Sequence, residues 1–201
     1  MANTKIKYRE QWLNEALEQF IVPLFKDAGY KVPKKIRLTC GWPAKGGLAR
    51  KKKTIGQAWS FTASADGVAE IFISPVLAEP LRVLGVLIHE VIHATVGNEH
   101  GHKKPFVDCM NAVGLNGKPT ATGETDELIA KMKPWLKVLG KYPHAELNPS
   151  SLPTQTTRLL KLLCDEAEGG CGMPLRVSQK WIDIHGGEWK CPCGGKLKHV
   201  D

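Results

Sequence analysis

Nowhere do the 201 residues offer the roughly 18 uninterrupted apolar residues that a membrane-spanning helix needs. The first residues, MANTKIKYREQW, also lack the apolar stretch of a secretory signal. These two absences argue against a membrane protein and a secreted one, and a cytoplasmic location is expected. No internal repeat or low-complexity tract is present, which excludes repeat and fibrous architectures. Apolar residues make up 42% of the chain and charged residues 24%, an ordinary balance for a globular protein and not for a disordered one. The length suits one medium domain plus a small module.

Residues 89 to 93 read His-Glu-Val-Ile-His, within LRVLGVLIHEVIHATVG. On a helix, positions four apart share a face, so the imidazoles of His89 and His93 can converge on one ion, and zinc suits two such nitrogens. Glu90 stands where a carboxylate can deprotonate a water that the ion has acidified to a pKa of roughly 7. Leu84, Leu87, Ile88, Val91 and Ile92 surround the motif on nearly every face, as in a buried helix. Two histidines and a glutamate buried there without partners would be costly, and a metal removes that cost.

A catalytic zinc takes three protein ligands and keeps one position for water. Downstream, GNEHGHKKPF offers Glu99, His100 and His102, after Gly97 as a natural helix end. The metzincin pattern HExxHxxGxxH is not met, since Val96 stands at its glycine and Glu99 at its third histidine. With Ala94 after the pentapeptide, then Gly101, His102 and Phe106, the chain resembles the SprT-like family of zinc metallopeptidases, which includes the Spartan proteases that act on proteins crosslinked to DNA. The resemblance runs through GQAWSFTASADGVAEIFISP, LGKYPHAEL and TRLLKLLC, from residue 36 onward, toward phage and bacterial members with a C-terminal zinc ribbon. It implies that His102 is the third ligand, that His100 is a solvated loop residue or a partner of the ligands, and that the activity is that of a metalloendopeptidase. Tyr30, Tyr142 and His144 are candidate donors to a tetrahedral oxyanion. Cys40 and Cys109 read as buried thiols.

Four of the six cysteines, Cys164, Cys171, Cys191 and Cys193, fall in the last 38 residues. Cys171-Gly172 and Cys193-Gly194 are similar to zinc-ribbon knuckles, in which glycine lets backbone amides approach sulfur. The spacing is irregular, with six residues inside the first pair and one inside the second. His185 is the substitute ligand should one cysteine drop out. In a reducing cytoplasm clustered thiols favour metal over disulfides, so a structural zinc ion is expected besides the catalytic one.

The expected architecture is α+β: a small antiparallel sheet packed with helices, one of them the HExxH zinc helix, followed by a zinc-ribbon-like module. Leu13, Leu17, Phe20, Ile21 and Leu24 predict an amphipathic first helix, kinked or ended at Pro23. Ile36, Leu38 and Cys40 alternate as a strand, and AWSFTAS and VAEIFIS predict a hairpin turning at Asp66-Gly67. The zinc helix starts near Pro80, and further helices are expected around 107–113 and 126–139, the latter interrupted by Pro134. The metallopeptidase domain spans 1–145, a Pro- and Ser-containing linker 146–157 and the module 158–201. The module is too short for a large core, and a metal would supply much of its folding free energy.

Net charge is +8, with half of the 28 Lys and Arg lying before residue 89. Arg50, Lys51, Lys52 and Lys53, preceded by GWPAKGGLA, form a basic loop suited to phosphates, and Trp42, Trp59, Trp181 and Trp189 are candidate stacking residues. The alternative for this loop is a merely solvated one; the resemblance implies protein substrates, and DNA is the partner if the loop grips phosphates. The leading expectation is a zinc peptidase acting on nucleic-acid-associated proteins. Two rivals stand beside it: a non-catalytic, zinc-stabilised nucleic-acid-binding protein, and a peptidase of free proteins whose ribbon makes protein contacts. Glu90 favours a peptidase, because a purely structural site has no need of a general base.

Overall fold

Apolar residues three and four apart place Trp12, Leu13, Ala16, Leu17, Ile21, Leu24 and Phe25 on one buried stripe of the first helical rod. In the computed structural model, which describes residues 6–49, 53–151, 159–186 and 189–200, this rod comprises α1 (Arg9–Ala16), a π-helical segment (Leu17–Ile21) and α2 (Val22–Asp27). Pro23 does not end it. The wider π turn falls just ahead of the proline, whose ring lacks a donor and would crowd the carbonyl four residues back.

Three strands follow: β1 (Ile36–Cys40), β2 (Gly56–Trp59) and β3 (Ala69–Ile73), in the order β1-β3-β2. β2 pairs antiparallel with β3, Ala58 opposite Ile71, whereas β1 pairs parallel with β3, Leu38 opposite Ile71. The sheet is therefore mixed, not antiparallel, because β2 takes the outer edge and β3 returns to lie beside β1. The hairpin is looser than its Asp-Gly pair suggests. Ser60 accepts a hydrogen bond from Thr62 N–H and starts a 3₁₀ turn at Phe61–Ala63, so β2 stops at Trp59 and the Ser64–Gly67 turn only completes a longer connection.

Helix α3 (Pro80–Val96) starts with Pro at its first turn and Glu79 as cap, whose carboxylate accepts from Leu81 N–H at 2.9 Å and Arg82 N–H at 2.6 Å. Burial of Val83 through Ile88, Val91 and Ile92 covers almost its whole circumference. Against it pack β2, β3, α4 (Lys104–Ala112) and α5 (Asp126–Leu139). Between the last two lies a hairpin, β4 (Leu115–Lys118) with β5 (Ala121–Glu124), turning on Pro119-Thr120. Pro134 leaves α5 unbroken: Thr125 caps it through Leu128 N–H, and Leu128, Met132 and Leu139 anchor it in the core.

Backbone contacts divide the chain into two units, Met1–Ser150 and Ser151–Asp201. The second is a four-stranded antiparallel sheet of β6 (Leu159–Cys164), β7 (Pro174–Ser178), β8 (Trp189–Lys190) and β9 (Lys196–Val200), ordered β7-β6-β9-β8, with α6 (Gln179–Ile184) beside β7. Among the described residues its buried core consists of Leu162, Cys164, Val177, Cys191 and Leu197. Among the described residues, no helix is long and apolar enough to cross a membrane.

Candidate metal centre and cleft

One turn of α3 separates His89 from His93, and their ring centroids lie 5.2 Å apart. Gly97, at φ 99°, ends the helix; a 3₁₀ turn (Asn98–His100) and Gly101, at φ 51°, then swing the chain back. The residue this reversal delivers is His102, its ring centroid 5.4 Å from His89 and 4.8 Å from His93. Phe106, fully buried four residues later on α4, lies against all three rings at 4.5–4.9 Å. His100 and Glu99 stay outside the group, 3.8 Å from each other.

Donor atoms of His89, His93 and His102 all lie within 4.8 Å of one another. His102 Nε2 and His89 Nε2 are 3.3 Å apart. At metal–imidazole distances of about 2.0–2.1 Å, a tetrahedral ion holds two nitrogens roughly 3.3–3.4 Å apart, so this spacing fits a shared metal ion. Burial drives His89 down to about 3, helped by the neighbouring His93, His102 and Arg82 charges. Burial likewise takes His93 to about 4, with His102 adding to it, and lowers His102. At neutral pH the rings are thus uncharged, the form in which imidazole binds metal. His89 Nδ1 lies 3.1 Å from Thr122 Oγ1; with the ring proton on Nδ1 the hydroxyl accepts it, and Nε2 is left for an ion.

Glu90 is buried beside the cluster, and its burial pushes the carboxyl up to about 8, against a lowering hydrogen bond from Ala58 N–H. Ala58 carbonyl in turn accepts from Asn98 Nδ2 at 2.7 Å. A side chain at Gly56 would collide with Glu90 Oε1, 2.9 Å from its Cδ and 2.7 Å from Val86 Cγ1. Histidines, Glu90, Gly56 and Thr122 all border one cleft of about 800 Å³, walled by β2, α3 and the β4–β5 hairpin. Tyr30, Tyr142 and His144 do not line it: Tyr142 packs edge-on against Trp12 at 5.1 Å, and Tyr30 lies near Cys109, Asp108 and Lys104. Among the polar residues that line it besides the motif are Arg82, Asn98 and Thr122, with Thr54, Gln57 and Thr120, none of which belongs to a motif. Arg50, Lys51 and Lys52 lie outside the described residues; Lys53 borders the cleft.

Cys109 is fully buried, which pushes its thiol up to about 12, while Cys40 is half-buried with its sulfur 3.2 Å from Arg9 Nη1. In the second unit, Cys164, Cys171, Cys191 and Cys193 converge within 4.8 Å of one another. Their sulfurs stand 3.5 Å apart (Cys164–Cys193) and 3.6 Å apart (Cys171–Cys191), close to the roughly 3.8 Å edge of a tetrahedron with 2.3 Å metal–sulfur bonds. This group too could hold a metal ion. The irregular spacing is absorbed locally: a 3₁₀ turn (Glu166–Glu168) takes up the insertion, and Cys191 N–H to Gly195 and Gly194 N–H to Cys191 fold the short pair inward. Gly170 and Gly195, not the expected Gly172 and Gly194, are the glycines against sulfur, each with a missing Cβ position within 2.7 Å of Cys164 Sγ. His185 takes no part, since its ring stacks on Trp181 at 5.8 Å and meets Trp189 edge-on at 5.4 Å.

No family model, curated protein or solved structure matches this chain.

Proposed function

We propose that the first unit is a zinc-dependent metalloendopeptidase of the SprT-like type, acting on proteins associated with nucleic acid. One observation carries the reading: three neutral imidazoles at metal-binding spacing share a cleft with a buried carboxylate that is not part of the donor group. Among the described residues that group has only three members, which suits a catalytic ion better than a closed structural one.

A zinc ion there would supply Lewis acidity toward a peptide carbonyl and acidify a water to a pKa of roughly 7. Glu90 accepts the proton of the attacking water on a carboxylate oxygen and delivers it to the leaving nitrogen. Ala58 N–H steadies the carboxylate, and Asn98 steadies Ala58 in turn. Thr122 Oγ1, accepting from His89 Nδ1–H, would keep the Nε2 lone pair turned to the ion.

A nucleic-acid partner is supported by the second unit, where Trp181 is 49% exposed, stacked on His185 and within 5.9 Å of Lys180 Nζ. The four thiols would bind the structural zinc of a ribbon-like module. A non-catalytic zinc protein would not need Glu90 buried beside the imidazoles at the expense of its charge.

The deciding experiment compares wild type with Glu90→Gln on a DNA-bound protein substrate, with and without DNA. Both proteins should hold two zinc ions per chain, and only wild type should cleave. Equal cleavage by the two would remove Glu90 from the chemistry; cleavage independent of DNA would favour free protein substrates.

A further inference from the structure

Charge is unevenly spread along the cleft. Strand β2 and helix α3 run alongside each other in the same sense, since Gly56 lies against Val86 and Glu90 while Ala58 lies against Glu90 and Asn98. Residues earlier in β2 therefore track residues earlier in α3. Lys53, three residues ahead of the strand, and Arg82, one helical turn before Val86, both border the cleft, and continuing that register puts them toward the same end of it. The neutral amide of Asn98 stands at the opposite end.

Arg82 is 41% exposed, and Glu124 Oε1, 3.6 Å away, balances only part of its charge. Its Nη1 also reaches the Thr122 carbonyl at 3.4 Å, which holds the guanidinium beside the His89 end of the hairpin. Lys53 is exposed, with no acidic partner among the described residues. Apart from Glu90, no described acid lines the cavity.

We propose that this end of the cleft is a subsite for an acidic side chain, with Lys53 and Arg82 as specificity-determining residues, so that the protein prefers segments carrying Asp or Glu on one side of the bond it cuts. The inference rests on the peptidase reading of the same cleft. A carboxylate reaching both cations makes two charge-assisted contacts. Exposed pairs of this kind change an equilibrium by roughly two- to five-fold each, so about tenfold is expected for the two together. A cavity of about 800 Å³ admits a short peptide segment. A nucleic-acid duplex, whose major groove alone is about 12 Å wide, does not fit inside it.

The test uses fluorescent decapeptides identical except for Glu, Gln or Lys flanking a central apolar pair, with binding to zinc-loaded Glu90→Gln protein read by anisotropy. The Glu peptide should bind about tenfold more tightly than the Gln peptide, and the Lys peptide most weakly. Adding Lys53→Glu should reverse the order, whereas Lys26→Gln, on the exposed side of α2, should leave it intact. Equal affinities, or an order that survives Lys53→Glu as mere attraction to a +8 protein, would overturn the subsite. So would a single-stranded oligothymidylate that outcompetes the Glu peptide and loses its affinity with Lys53→Glu, since the cations would then serve nucleic acid. If the Glu preference holds in binding while wild type cleaves none of the peptides, the peptidase reading fails and the subsite stands.

Discussion

Replacing Gly56 with alanine should disable the first unit while barely unfolding it. Its backbone lies outside the left-handed region, so alanine is conformationally acceptable and even restricts the unfolded chain, a gain of about 0.4–1 kcal/mol. The added methyl, however, would sit 2.7 Å from Val86 Cγ1 and 2.9 Å from Glu90 Cδ, where ordinary contacts begin at 3.4 Å. Val86 is β-branched and stiff within a helix, so the end of the glutamate is the softer neighbour and gives way. A retreat of about 1 Å by a catalytic group costs roughly 100-fold in rate, while overpacking costs about 1–3 kcal/mol of stability before the alanine gain is set against it. Gly56→Ala should therefore keep its zinc, melt within several degrees of wild type and lose about two orders of magnitude in kcat, with KM little changed. Zinc content by elemental analysis, melting by circular dichroism and steady-state cleavage supply the three readouts. Wild-type kcat at full zinc occupancy would refute the role assigned to the Glu90 position.

Thr122→Val should weaken zinc binding at the histidine cluster by about 10- to 100-fold, and Thr122→Ser should restore it, as read by competition with a chromophoric chelator. Cys164→Ser, or chelation, should remove hydrogen-exchange protection from β6 to β9 while leaving the α1 amides protected, because the five side chains buried there among the described residues are too few to hold that sheet without a metal. Arg9→Ala should destabilise the first unit by about 2–3 kcal/mol in urea unfolding, since the buried guanidinium donates to the Ala145 carbonyl at 2.6 Å and the Pro143 carbonyl at 3.0 Å.

The helix carrying the pentapeptide is legible because its signals are local: Pro80 and Gly97 punctuate it, and apolar residues fill nearly every face between. Gly97 announces the chain reversal locally, but it leaves Glu99, His100 and His102 equally placed in the sequence, and only the resemblance singles out His102. Thr122 is not legible, because its hairpin announces itself poorly. The Asn116-Gly117 pair that would signal a turn lies inside β4, and the turn is made by Pro119-Thr120. Parallel pairing of β1 with β3 is equally silent, since alternation reports which face is buried and not which strand lies alongside. Arg82 and Asn98 have no motif, and their places in the cleft come from β2 running beside α3.

Stability against pH separates the imidazoles from Glu90, because their signs oppose. Without metal, the His89 and His93 rings titrate near 3 and 4 in the fold but near 6.5 in the unfolded chain. Their contribution is complete above 6.5 and is lost as the pH falls through that value, where the unfolded chain takes up protons the fold refuses. Glu90 runs the other way: raised to about 8 from 4.5, it contributes fully below 4.5 and loses that contribution as the pH rises to 8. Near pH 5.5 two imidazoles outweigh one carboxyl by about one proton, a slope of roughly 1 kcal/mol per pH unit toward higher stability. Above pH 7 only the carboxyl still titrates, and the slope turns downward. Hydrogen exchange of the α3 amides in the metal-free protein should therefore be slowest near pH 6.5, after correction for its intrinsic pH dependence. In the Glu90→Gln protein the high-pH decline should vanish and the low-pH loss steepen. Zinc should carry protection to higher pH in both proteins, since deprotonated ligands bind it best. A flat profile in the metal-free wild type would mean that burial does not set the protonation of these four-residue-spaced rings and their neighbouring carboxyl, and would undercut the fit to a shared ion.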